Sequence, residues 1–340
     1  MTENRQFFVP NSRAKYILYS LCPANAALSV MSVFALLLAL FRSDIAAESM
    51  TRGMRLCAEV LIPSLFPFMV ISNLFVLSGA PTELGRLLRR PMRALFGISG
   101  EAGSAILLGI LCGFPIGAKT AIGLYEQGKT DKRQLERTLM LCNLPSAAFL
   151  ISAVGEKMFE SKRFGIALYL INIASVVIIG VVSKLLFPIG EKSEKNIDHA
   201  PPKNMPSAGG IAAITHSVTD AAVSMLYVCA FAVFFSALVG CIQSVIEPIS
   251  AAMPKIIKPL IFGAFELTGG MQQSAAISEP RLGMIAAAVI SGWSGLSVHC
   301  QILSLCRDRA VSFKPYFAAK IITAILNAAI LTLLFLIFPM

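Results

Sequence analysis

Four short stretches of this 340-residue chain put polar or ionisable side chains inside otherwise apolar sequence. The first is Gly113-Phe-Pro-Ile-Gly-Ala-Lys-Thr120. Pro115 and the flanking Gly113 and Gly117 suit a tight turn, because proline fixes φ and glycine accepts φ > 0. A half-helix starting near Gly117 would aim unpaired N–H groups and the positive end of its dipole at an anionic or strongly polar ligand. Lys119 and Thr120 would lie in its first turn. Gly109, Gly113 and Gly117 recur every fourth residue, a spacing that lets helices approach closely, and for Gly109 packing is the expected role.

The second stretch, Phe265–Gly270, supplies Glu266, Thr268, Gly269 and Gly270, with Gln272 and Gln273 beyond. A carboxylate there could pair with Lys119, accept a coupling proton or bind a cation. The third and fourth, Cys142–Ser146 and Ser291–Gly295, interrupt apolar segments with Asn143 and Ser146 in one and Ser291, Trp293 and Ser294 in the other. Their amides and hydroxyls can bond a ligand or the backbone freed where a helix unwinds. For Lys119 the alternatives are ligand contact and a structural ion pair. Trp293 could stack on a flat ring or pack, and His299 could relay protons or pack. An intramembrane ionisable residue points to function by default, so all fourteen residues from Gly113 to Ser294 are read as substrate-binding.

Other chemistry fails on its own terms. The Gly113 stretch lacks the Gly-Lys pair of a phosphate loop. There is no HExxH, no nucleophile–base pair and no metal-ligand spacing, so neither catalysis, a metal nor a cofactor is expected. Eight cysteines contain no CxxC pair and sit in apolar runs, as small buried hydrophobes do. His216 and Asp220, four apart on a helix, are expected to form a surface pair.

The elements that must position these residues follow from composition. The chain is 56% hydrophobic and 14% charged, with a mean hydropathy of +0.73. Soluble domains do not look like this, and many segments are long enough to span about 30 Å of hydrocarbon. The net charge of +10 lies in short loops, where it sets orientation rather than binding nucleic acid. Residues 1–49 hold a tail and a first membrane anchor, Ala26–Phe41. Residues 50–190 hold a span at Met54–Gly79 that Pro63 and Pro67 should kink, a glycine-rich segment at Ala102–Gln127, a broken span at Thr138–Phe159 and a clean span at Phe164–Pro188. Residues 191–210 form a polar linker. Residues 211–340 repeat the layout with Ile214–Ile246, Ile257–Ser274, Gly283–Leu305 and Pro315–Pro339.

Counted over the whole chain, basic residues are most strongly biased to the cytoplasmic side, with the clusters at Arg86–Arg93 and Lys129–Arg137 both there, when both glycine-rich segments dip into the membrane and return. Lys320 counts with them. The expected fold is therefore an all-α polytopic membrane protein. It has about seven spanning helices and two re-entrant hairpins in an inverted repeat, with the site where the hairpins meet near the midplane. The N-terminus is cytoplasmic in the cell membrane.

Gly113-Phe-Pro-Ile-Gly-Ala-Lys-Thr-Ala, Leu124-Tyr-Glu-Gln-Gly-Lys129, Glu136-Arg-Thr-Leu, Cys142-Asn-Leu-Pro-Ser146 and Phe265-Glu-Leu-Thr-Gly-Gly270 together resemble the YlbJ-type sporulation integral membrane proteins, which carry the nucleoside-recognition Gate domain. The resemblance covers roughly residues 50–335. Where such members have Asn-Asn-Ser/Pro, this chain has Asn143-Leu-Pro. The family is similar in layout to the transport domains of concentrative nucleoside transporters, and its spore-forming members are implicated in moving dipicolinate. The resemblance implies a secondary transporter of a small polar or anionic solute, an aromatic dicarboxylate or a nucleoside, and a forespore location if the organism sporulates. Coupling to protons or sodium ions and assembly as a homo-oligomer stay open here. The alternative is a non-transporting membrane protein that binds a ligand or scaffolds an envelope complex. Partners are the solute and the bilayer.

Overall fold

The computed structural model describes residues 40–188, 210–307, 309 and 311–337, with Val33, Leu36 and Leu37 ahead of them. Most of the expected anchor Ala26–Phe41, almost all of the 191–210 linker, Cys22 and His199 lie outside the described residues. Among the described residues there are helices and turns and no strand.

Helix α1 (Ser43–Leu56) passes through a π-helical turn (Cys57–Leu61) into α2 (Ile62–Leu77). Pro63 follows directly on the π-helical turn, in which the Ile62 N–H reaches back to the Cys57 carbonyl, so its missing N–H falls where the ladder is already irregular. The large redirection comes later than expected from the prolines. It sits at Ser78–Gly79, where Gly79 takes φ 77°, and α3 (Ala80–Phe96) leaves residues 65–77 at 83°. The Arg86–Arg93 cluster, expected in a loop, is thus carried on a helix. Leu84, Leu88, Met92 and Phe96, four apart, turn inward, and Arg86, Arg89, Arg90 and Arg93 are exposed.

The first glycine-rich segment folds as two helices, α4 (Gly100–Cys112) and α5 (Ile116–Glu126), with Gly113–Pro115 between them. Ser99 caps α4 by accepting from the Ala102 N–H at 3.2 Å. The Phe114–Pro115 peptide is cis. Helix α6 (Lys132–Leu141), capped by Asp131, carries Lys132, Arg133 and Arg137 of the second basic cluster and gives way to an unwound stretch over residues 142–146. Arg137, expected in a loop, is buried on α6, and its guanidinium donates to the Phe96, Ser183 and Phe187 carbonyls. A π-helix (Ala148–Met158) and α7 (Lys162–Leu186) complete this half.

The second half opens with α8 (Ile211–Ile246), extended by a 3-10 turn at Glu247–Ala252. It continues with α9 (Ile257–Phe265), α10 (Leu267–Ala275), α11 (Pro280–Trp293), α12 (Leu296–Leu305) and α13 (Lys314–Ile337). Four segments are long and apolar enough to cross a membrane: α7, α8, α11 with α12, and α13. The bent pair α2–α3 raises the number to five. Seven were expected. One of those lies outside the described residues, and Thr138–Phe159 is not one helix because the chain unwinds after Leu141.

Apolar contacts hold the halves together. Met69 of α2 and Ile116 of α5 pack on Met225 and Val228 of α8. Leu150 and Leu168 pack on Met271, Ala287 and Leu331 of the second half. Lipid-facing surface remains apolar, as at Leu226 on α8 (70% exposed) and Ile325 on α13 (62%).

Candidate functional site

The two glycine-rich hairpins are each closed by one of the helix breaks. In the first, α4 and α5 approach so closely that a Cβ on Gly117 would stand 2.7 Å from the Gly109 Cα. A Cβ on Gly109 would run into the Cys142 carbonyl, lying 2.9 Å from the Cys142 Cα, and one on Gly113 would lie 2.6 Å from the Ser146 N. No real Cβ tolerates such distances, so glycine is required for the hairpin to seat in the break. The Phe114 N–H then donates to the Leu144 carbonyl at 2.9 Å. In the second half, a Cβ on Gly270 would stand 2.7 Å from the Gly263 N, and one on Gly295 would face Leu267 N and Glu266 Cα at 3.1 and 3.3 Å. The break after α11 therefore seats on the turn at Glu266 much as residues 142–146 seat on the turn at Gly113. Trp293 reinforces this contact by donating its indole N–H to the Ala264 carbonyl at 3.0 Å.

Lys320 of α13 joins the two breaks. It is 3% exposed, and its Nζ donates to the Asn143 carbonyl of one break and to the Ser294 hydroxyl of the other, the latter at 3.1 Å. Counting it as a cytoplasmic charge was wrong. The four- and three-residue spacing of Tyr316, Lys320, Ala324 and Asn327 with neighbouring buried residues puts it on the inward face of α13. Two turns on, Asn327 donates to Asn172 Oδ1 (3.0 Å) and Ser291 Oγ (3.2 Å) and accepts from Ser175 Oγ (2.7 Å). Asn172 also donates to Ser291 Oγ at 3.1 Å. These four buried side chains tie α7, α11 and α13. Interhelical hydrogen bonds of this kind hold membrane helices together where lipid offers no hydrophobic drive.

Lys119 and Glu266 do not meet, contrary to the pairing considered from sequence. Lys119, 9% exposed, pairs with Asp220 Oδ2 at 3.0 Å and donates to the Asp220 carbonyl (3.1 Å) and Ser224 Oγ (2.5 Å). The expected His216–Asp220 surface pair is accordingly replaced by Asp220–Lys119, since a buried ammonium needs a counter-charge more than an exposed imidazole does. Lys119 lines a cavity of about 140 Å³ with Asn73, His216, Asp220, Glu126 and Arg309. Glu266 lines another, of about 400 Å³, with Arg52, Arg55, Gln243, Gln272 and Gln273. The first touches α8 at residues 216–224 and the second at residues 236–243. At 1.5 Å per residue the two are about 18 Å or more apart along one helix.

Glu266 is also a helix cap. Its carboxylate accepts from the Thr268 N–H at 2.9 Å and the Gly269 N–H at 2.6 Å, holding the start of α10 beside the larger cavity. In that cavity Arg52 is paired with Glu48 at 2.6 Å. Arg55 forms no ion pair with a described carboxylate.

The remaining expected residues fall as follows. Gly113 and Pro115 form the hairpin turn, and Gly117 and Thr120 are buried in α5, with Thr120 bonded to Ser72 at 2.6 Å. Ser146 accepts from the Phe149 N–H at 3.2 Å, opening the π-helix. Ser291 and Ser294 belong to the polar core, Thr268 and Gly269 line the Glu266 cavity, and Gly270 packs the second hairpin. The Trp293 ring lies edge-on against His299, with centroids 4.4 Å apart. His299 in turn meets Tyr316 Oη at 2.7 Å. Residues not singled out from sequence are Lys320, Asn172, Asn327, Arg52 and Arg55. Asn172 and Asn327 carried a usable signal, amides in mid-span of otherwise clean apolar helices.

Residues 58–186 match the family model described as Gate, nucleoside recognition. The chain is also 26% identical over 323 residues to the sporulation integral membrane protein YlbJ of Bacillus subtilis (strain 168), a stretch covering 84% of this chain and 77% of the relative. No solved structure matches. Unwound segments seated on glycine hairpins, apolar spanning helices and these two similarities agree on a helical integral membrane protein, similar over residues 58–186 to the Gate nucleoside-recognition model and over most of its length to a sporulation membrane protein.

Proposed function

We propose that the protein is a secondary carrier for a small anionic or polar solute, working by alternating access. One observation carries this. Two polar cavities flank the same helix, α8, at levels about 18 Å or more apart, each lined by residues of one glycine hairpin, and the two unwound breaks seated on those hairpins meet at Lys320 and could part and rejoin. Irregular backbone at membrane depth is tolerated only where it is buried in protein or lines a water-filled cavity, and discontinuous helices near the midplane are how many secondary carriers build their sites.

The larger cavity is the better solute site. Its volume, about 400 Å³, lies in the range of small-molecule pockets. Arg55 and Arg52 offer guanidinium forks suited to carboxylates, and Gln243, Gln272 and Gln273 offer amides. Glu59 and Glu266 balance the two arginines in the lining, so the cavity suits a polar solute, and Arg55, with no described carboxylate partner, makes an aromatic dicarboxylate of the dipicolinate kind the first candidate ahead of a nucleoside. On this reading the N-terminus and the Lys119 cavity face the cytoplasm and the Glu266 cavity faces the other side, as the excess of basic residues favours. In an organism that sporulates, the forespore membrane is the expected location.

Uptake into proteoliposomes tests it. Labelled dipicolinate should accumulate with the wild type and fall at least tenfold with Arg55→Ala, which removes a charge-assisted contact worth about 1.5–3 kcal/mol. Saturable binding without uptake would instead favour a ligand-binding scaffold. Uptake of a nucleoside with no dipicolinate flux would keep the carrier and reassign its solute.

A further inference from the structure

Lys119 is paired with Asp220 and Arg309 with Glu126. Buried Arg137 is held by the carbonyls of Phe96, Ser183 and Phe187, and Lys320 likewise has no acid. No described carboxylate pairs with it, although it is 3% exposed. Its partners are a backbone carbonyl from an unwound segment, Asn143 O, and the hydroxyl of Ser294 at the other break. Two further polar atoms in these elements are buried without a partner: the Asn143 Oδ1, and the His299 Nε2 left over from the Tyr316 bond. Backbone carbonyls of unwound helices together with hydroxyl and amide oxygens are the ligand set that binds a coupling sodium ion in inverted-repeat carriers. Here an ammonium, the tip of a side chain, stands among them.

We propose that Lys320 is the resident cation of a monovalent-cation site formed by the two helix breaks, and that its proton is the coupling ion of transport. This rests on the carrier assignment above. With Nζ protonated, charge-assisted bonds hold Asn143 O and Ser294 Oγ to one point, and the breaks stay together. When one Nζ–H bond breaks, its proton passes to water in whichever cavity has opened to the breaks, and nitrogen keeps the electron pair. The neutral amine holds the breaks less tightly, and the next proton comes from water on the other side. The titratable groups facing Lys320 are the Cys142 thiol of the first break and the His299 imidazole of α12. Tyr316 of α13 and Cys306 at the end of α12 lie behind them. None of these is a carboxylate that could hold the ammonium's charge in its place.

The test has two arms on the full-length protein. In proteoliposomes, an inward proton gradient should drive wild-type uptake, and replacing choline by sodium should change nothing. Sodium-driven uptake overturns the proposal, whereas no uptake of any candidate solute counts against the carrier assignment instead. The second arm does not depend on flux. Purified wild type and Lys320→Ala are melted in sodium chloride and in choline chloride of equal ionic strength. The vacated site should take sodium, raising the Tm of Lys320→Ala by about 2–4 °C at roughly tenfold excess over Kd, with no change for the wild type. No sodium response in a folded Lys320→Ala overturns the proposal. If that variant does not fold in either salt, the sodium arm of wild-type uptake decides alone.

Discussion

Replacing Gly109 by alanine tests how the first hairpin is held. An added Cβ would lie 2.8 and 2.9 Å from the carbonyl carbon and Cα of Cys142, backbone atoms that cannot rotate away. Carbon–carbon contacts settle near 3.5–4.0 Å, so the hairpin and the break must separate by about 1 Å. Overpacking of this kind costs about 1–3 kcal/mol. The separation also strains the Phe114 N–H to Leu144 carbonyl bond, whose loss in a buried setting costs about 1–3 kcal/mol more. Together these predict a fall of about 2–6 kcal/mol, or about 4–12 °C in Tm at roughly 2 °C per kcal/mol. Gly123→Ala is the control. Its Cβ would meet only the Val76 side chain, at 3.2 Å, and alanine gains about 1 kcal/mol of helix propensity over glycine. Thermal melting of the three purified proteins in detergent decides. Wild-type melting of Gly109→Ala, or an equal fall for Gly123→Ala, would refute the seating of the hairpin in the break.

Substitutions at three further positions probe other contacts. Asn327→Leu leaves Asn172, Ser175 and Ser291 short of partners in a buried site and should cost at least about 3 kcal/mol, seen as a lower Tm; a change under about 1 kcal/mol would mean the four side chains are not one network. Glu266→Ala should lose the cap of α10, about 0.5–2 kcal/mol, while Glu266→Gln keeps an acceptor and most of that stability. Asp220→Asn should cost no more than about 1 kcal/mol by melting, because that carboxylate is 51% exposed and Lys119 keeps Ser224 and the Asp220 carbonyl.

Much of the local architecture was legible in the residues. Glycine and proline at Gly113–Gly117 forecast a turn because their backbone limits are intrinsic, and Asn143-Leu-Pro forecast an unwound stretch for the same reason. What was not legible depended on which faces meet. Lys119 and Glu266 each lie in a glycine-rich hairpin, and similarity of setting suggested proximity. Their partners, however, are set by how far along α8 each hairpin docks, and local spacing does not encode that distance. Lys320 was misread for a related reason. A lysine six residues into an apolar helix looks like an interfacial anchor, and only the convergence of two distant breaks on α13 makes it central. The Arg86–Arg93 cluster was hidden by its density of charge, although the four-residue spacing of Leu84, Leu88, Met92 and Phe96 already implied a helix.

The central claim is that two cavities serve opposite faces of the membrane. Single cysteines at Gln273 and His216, in a chain whose eight native cysteines are replaced, can be labelled with a membrane-impermeant thiol reagent in right-side-out and inverted vesicles. The account predicts that Gln273→Cys reacts from the outer face and is protected by solute, while His216→Cys reacts only from the inner face. Reaction of both from the same side would contradict it.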